Sequence, residues 1–129
     1  MQIGHKTKRR ILIVDDNVDA AVITAELLRV LGNEVEVVHD GEAGIKATFS
    51  QQPEIVLLDI CLPRFDGYEV ARQIRGNANI TQPILIALSG WGDDNVKHAA
   101  ADSGFDYHLV KPIDLERLIG AIIGAANPA

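Results

Sequence analysis

Five short apolar runs punctuate the chain, at Ile11–Val14, Val35–Val38, Ile55–Leu58, Ile84–Leu88 and Tyr107–Val110. Three of them, ILIV, IVLL and ILIAL, are continuously apolar rather than alternating. A strand covered by helices on both faces has no solvent side to keep polar, so such runs predict a buried parallel sheet. The second run, EVEVV, alternates at its start and suits an edge strand.

The segments between the runs carry helical spacing. Ile23, Leu27, Val30 and Leu31 recur at i, i+4, i+7 and i+8, which predicts a helix with that stripe as its apolar face and a stop at Gly32-Asn33. Asp40-Gly41 opens a second helix, which must end before Pro53. A third opens at Asp66-Gly67, places Val70 and Ile74 on one face and stops at Gly76-Asn77. Residues 93–103 make an alanine-rich fourth ending at Gly104, and Leu115, Leu118, Ile119 and Ile122 stripe the last. Five strand–helix units in 129 residues predict an α/β fold, a doubly wound five-stranded parallel sheet of order 2-1-3-4-5 of the flavodoxin-like kind. The expected organisation is one domain over 9–126 after a flexible basic tail at 1–8.

Composition narrows the function classes. With 47% apolar and 23% charged residues the chain reads as an ordinary globular domain. One cysteine, Cys61, excludes an internal disulfide framework. Four of the 12 basic residues (Lys6, Lys8, Arg9, Arg10) lie in the first ten positions, so the remainder carries 8 basic against 18 acidic residues. An acidic body argues against nucleic-acid binding by this domain. No apolar run approaches the roughly 20 residues of a membrane span, and the expected compartment is the cytoplasm.

In doubly wound folds the sites form at the carboxyl ends of the strands. Those ends carry Asp15-Asp16 on the first run, Asp59 on the third, Ser89-Gly90 on the fourth and Lys111-Pro112 on the fifth. Converging carboxylates repel one another, and their ionisation calls for a counter-charge. Lys111 is one source; a divalent metal is the other. Carboxylates without histidine or thiolate suit a hard ion, Mg²⁺ above all. Taken singly, Asp15 or Asp16 reads equally well as a helix cap. As a set, the five residues read as a site.

The strings VDDN (14–17), LLDICLPRFDGYEV (57–70), LSGWG (88–92) and HLVKP (108–112) resemble the receiver domains of response regulators in two-component signalling. The resemblance spans about residues 9–126, and the spacings hold it together: 44 residues from Asp15 to Asp59, 30 to Ser89 and 22 more to Lys111. It implies that Asp59 is a phosphoacceptor, fed from a phosphohistidine on a sensor histidine kinase or a histidine phosphotransfer domain. It implies that Asp16, Asp59 and the backbone carbonyl of Cys61 ligate Mg²⁺ directly, with Asp15 acting through water. Lys111 would pair with a phosphoryl oxygen, Ser89 would offer its hydroxyl, Gly90 would leave room for the phosphate, and the Lys-Pro peptide would be cis. Pro63 and Asp66-Gly67 would shape the loop after Asp59.

The resemblance also implies a switch pairing Ser89 with a ring three residues before the lysine. That ring is His108 here, where tyrosine or phenylalanine is frequent, which puts an aromatic switch in question. Trp91 and Cys61 would flank the site mouth, while His5, His39 and His98 form no metal spacing and read as surface residues. The texture of LSGWG and FDYHLVKP resembles receivers attached to hybrid sensor kinases. On this reading the chain has no turnover substrate and catalyses only its own phosphorylation and dephosphorylation. The alternative is a phosphorylation-independent interaction module on the same fold, against which the intact acceptor set argues. Nucleotide binding has no motif to support it, since neither a P-loop nor a G-x-G-x-x-G follows any strand. The face of the fourth helix, fifth strand and fifth helix is the expected surface for an output partner.

Overall fold

Four helices begin with an acidic or amide side chain that accepts a backbone N–H three residues on: Asn17 from Ala20, Asp40 from Ala43, Asp66 from Glu69 and Asp93 from Val96. These caps satisfy amides that the first helical turn leaves without partners, and so fix where each helix starts. The computed structural model describes residues 8–61, 66–90 and 92–126. The basic tail up to residue 7, His5 with it, and the expectations for Pro63 and Trp91 lie outside the described residues.

Strands and helices alternate strictly: β1 Arg10–Val14, α1 Val18–Val30, β2 Glu34–Val38, α2 Gly41–Gln51, β3 Ile55–Asp59, α3 Gly67–Arg75, β4 Ile84–Ser89, α4 Asp94–Ser103, β5 Tyr107–Val110 and α5 Leu115–Ala126. The sheet order is β2-β1-β3-β4-β5 and every ladder is parallel, as the sequence predicts. β2 is an edge strand with Glu34 and Glu36 exposed, and a charge on an edge discourages pairing with a second sheet. No helix among the described residues is long and apolar enough to cross a membrane.

Because side chains alternate along a strand, each central strand feeds two cores. Leu12, Val14, Val56, Leu58, Leu85 and Ala87 pack on one face with Val70 and Ile74 of α3 and Ala100 of α4. Ile11, Ile13, Ile55, Leu57, Ile86 and Leu88 pack on the other with Ala21, Ala25 and Leu28 of α1 and Leu118 and Ile122 of α5. This double use is why three of the strands read as unbroken apolar runs.

The stripe on α1 is a correction. The helix exists, but it turns Ala21, Ala25 and Leu28 to the sheet, while Ile23 is 62%, Leu27 43% and Val30 79% exposed. Both sets have the same spacing, so periodicity cannot choose between them. Size does: two alanines let the helix backbone lie close to the sheet, where larger residues would hold it off. Leu115 of α5, also predicted to be on the packed face, is 39% exposed, whereas Leu118 and Ile122 are buried as expected.

Candidate functional site

Parallel strands end on one side, and the chemistry-bearing residues all sit at that side. Asp15 and Asp16 follow β1, Asp59 closes β3, Ser89 closes β4 and Lys111 follows β5. The ladder continues past the strands to hold these residues: Asp15 N–H donates to the Val38 carbonyl (3.1 Å), Ile60 N–H to Leu88 (2.9 Å) and Lys111 N–H to Ser89 (2.7 Å). The Lys111–Pro112 peptide is cis.

At the centre, Lys111 Nζ donates to Asp59 Oδ2 at 2.8 Å and to Asp15 Oδ2 at 3.2 Å. The opposite oxygens are held by backbone: Cys61 N–H donates to Asp59 Oδ1 and Asn17 N–H to Asp15 Oδ1, both at 2.9 Å. Asp15 and Asp59 are buried, at 3% and 4% exposure, whereas Asp16 is exposed. One oxygen from each of the three aspartates can be chosen so that all lie within 4.8 Å of one another. The arrangement fits a hard divalent cation. Its donors are oxygens only, two of its carboxylates are shut away from water, and one lysine cannot balance three negative charges.

Burial pushes the Asp59 carboxyl above the ordinary carboxylate range, and the Asp15 charge adds to it; the Lys111 contact and the Cys61 N–H offset this only in part. Burial also works against the charge on Lys111, but its hydrogen bonds to Asp59 and Asp15 and their charges outweigh it and hold the ammonium above its usual value. The site is therefore an acid short of positive charge beside a lysine that stays protonated.

Other residues fall in place around this centre. Ser89 is buried and its Oγ lies 2.9 Å from His108 Nε2, so the two residues that the resemblance pairs as a switch are in contact. No described residue comes within 4 Å of where a side chain at Gly90 would begin. Cys61 is exposed at the site edge with a free thiol. His39 and His98 are exposed, and His39 Nδ1 lies 3.0 Å from the Asp15 carbonyl.

Two contributors escape the sequence reading. Asn17 both caps α1 and steadies Asp15 through its backbone N–H, and its position in VDDN is the signal that would have flagged it. Gly67, read only as a loop-shaping helix start, lies directly beneath Asp59. A Cβ there would come within 2.6 Å of the Asp59 carbonyl oxygen and of Ile60 Cα.

The chain belongs to the response regulator receiver domain family, whose model matches residues 11–123. A curated relative, the response regulator ArlR of Staphylococcus saprophyticus, is 36% identical over 88% of this chain and 50% of its own length. The chain thus spans about half the length of the curated relatives it matches. Among solved structures, a two-component response regulator from Clostridium difficile superposes with a TM-score of 0.85 at 26% identity, covering 92% of this chain and 96% of that one. The receiver domain of a sensor histidine kinase from Pseudomonas aeruginosa, solved with a magnesium ion coordinated in its active site cleft, gives a TM-score of 0.80 at 29% identity, over 89% of this chain and 94% of that one.

Proposed function

We propose that Asp59 is the phosphoacceptor of a His-Asp phosphorelay, receiving its phosphoryl group from a phosphohistidine on a sensor histidine kinase or histidine phosphotransfer domain. The observation that carries this reading is the Asp59 carboxylate itself, buried at a strand end, gripped by Lys111 at 2.8 Å and clustered with two further aspartates. An Asp59 oxygen attacks phosphorus, the phosphorus–nitrogen bond to the donor imidazole breaks with its electron pair passing to the ring, and an acyl phosphate forms. Water later attacks phosphorus and returns the carboxylate.

The residues of this chain divide the work. Lys111, already bound to Asp59, moves its point charge to a phosphoryl oxygen as the product forms. Ser89 offers its hydroxyl to another, and Gly90, which has no side chain, leaves room for the group. Asp16, Asp59 and the Cys61 carbonyl would hold Mg²⁺, with Asp15 acting through water. The ion supplies the positive charge that three carboxylates and an incoming phosphoryl group require. The setting is cytoplasmic, and the domain turns over no substrate beyond its own phosphoryl group. The phosphorylated state changes which partner the domain binds.

Intact mass after incubation with phosphoramidate or acetyl phosphate tests this directly. Wild type gains one phosphoryl group, only with Mg²⁺ present, and Asp59→Asn gains none. A wild type that binds Mg²⁺ yet takes up nothing sinks the reading and leaves a phosphorylation-independent interaction module.

A further inference from the structure

His108 stands on β5 opposite Ala87 of β4, with Ser89 opposite Val110. Side chains two apart on a strand share a face, so the His108 ring and the Ser89 hydroxyl lie on the same side of the sheet. Ala87 presents only a methyl group, which leaves the ring room to lean diagonally toward the strand ends, where Nε2 comes within 2.9 Å of Ser89 Oγ. The other ring nitrogen, Nδ1, is closed off from solvent and has no hydrogen-bond partner among the described residues.

That asymmetry decides where the ring keeps its proton. A buried N–H without an acceptor is a rarer and costlier defect than an acceptor lone pair without a donor. The proton therefore belongs on Nε2, with Nδ1 bare. A second proton is disfavoured for the same reason, because it would sit on Nδ1 with nothing to receive it. Burial, and then the charge of Lys97, hold the His108 pKa below its ordinary value. A neutral ring protonated on Nε2 donates to Ser89 Oγ. A serine hydroxyl that accepts a hydrogen bond still has its own proton to give.

We propose that His108 is a positioning residue for Ser89: its Nε2–H fixes the hydroxyl oxygen and directs the serine proton to an oxygen of the phosphoryl group on Asp59. The proposal rests on the phosphoacceptor reading and goes beyond it, since it replaces a ring that only changes place with one that hydrogen-bonds the catalytic hydroxyl. No bond is made or broken. The chain of donors from N–H to O–H to phosphoryl oxygen polarises each member, so losing the first link weakens the last.

The test is the rate of phosphoryl uptake from phosphoramidate with Mg²⁺ in wild type, His108→Phe, His108→Gln, Ser89→Ala and the Ser89→Ala/His108→Phe double variant. Phenylalanine keeps a ring without a donor, whereas the glutamine amide N–H reaches the position of Nε2. His108→Phe slows uptake about fivefold, the worth of one hydrogen bond made in the transition state, and His108→Gln stays within about twofold of wild type. In the Ser89→Ala background His108→Phe has no further effect, because its route of action is gone. Nitrogen-15 NMR of the wild-type ring finds the proton on Nε2. His108→Leu repeats the comparison should phenylalanine disturb the packing. Uptake by His108→Phe as fast as wild type or faster overturns the proposal. So does an equal penalty in the Ser89→Ala background, or a ring proton on Nδ1. No uptake by wild type overturns the phosphoacceptor reading and the proposal with it, whereas normal wild-type uptake with any of the contrary outcomes overturns the His108 assignment alone.

Discussion

Asp59 and Lys111 touch each other, yet their removal has opposite consequences for stability. Burial raises the Asp59 pKa above the ordinary carboxylate value, so between the two values the folded state holds a proton that the unfolded state has already released. Folded protein then binds more protons than unfolded, and stability falls as pH rises from the unfolded value through the raised folded one. Asp59→Asn removes this penalty. In Mg²⁺-free buffer at neutral pH the variant melts roughly 3 °C higher than wild type, and it lacks the fall in stability through that acidic window. Thermal melts across the acid range check both statements. Lys111→Met works the other way, since it leaves Asp15 and Asp59 facing each other without their shared cation. It destabilises the fold by about 2 kcal/mol, discounted from a fully buried pair because the lysine is partly exposed, and urea unfolding measures it.

At the scale of elements, helix placement rests on small residues at close approaches. α3 begins where Gly67 passes under the end of β3, and its N–H donates to the Ile60 carbonyl at 2.7 Å. A methyl group at Gly67 would meet backbone, which cannot step aside, so Gly67→Ala costs about 2 kcal/mol and slows phosphoryl uptake by displacing Asp59. Gly90→Ala meets nothing among the described residues and leaves the melting temperature unchanged. α1 supplies a second contrast. Leu28→Ala empties a fully buried position and costs on the order of 3 kcal/mol, whereas Ile23→Ser or Val30→Ser on the exposed stripe stays within about 0.5 kcal/mol. Chemical denaturation of the three variants decides whether the stripe is packed or solvated.

For the whole molecule, the parallel sheet gathers charge at one rim. The chain carries a net charge of −6, and among the described residues Lys111 pairs with two of the three clustered aspartates. A cation binding there stabilises the folded state by mass action. At a free Mg²⁺ concentration ten times its dissociation constant the gain is about 1.4 kcal/mol, read as a rise in melting temperature. Asp16→Asn weakens that rise, and NaCl at matched ionic strength separates site binding from general screening, since it supplies the screening alone.

The elements, their order and the gathering of Asp15, Asp59, Ser89 and Lys111 at one edge of the sheet are legible in the chain's pattern alone. Hydrophobic period separates strand from helix, capping residues such as Asp66 and Asp93 mark the starts, and a parallel sheet obliges Asp59, Ser89 and Lys111 to end on one rim. Each of those facts is local or follows from chain order. What remained for the tertiary structure was whatever depends on neighbours distant in sequence. Ile23, Leu27 and Val30 share their spacing with the buried Ala21, Ala25 and Leu28, and only the distance between helix and sheet chooses the face. The need for glycine at Gly67 exists only because β3 ends above it. The hydrogen bond from His108 to Ser89 depends on the register that sets Ala87 opposite the ring, and a ladder register is a property of two strands together.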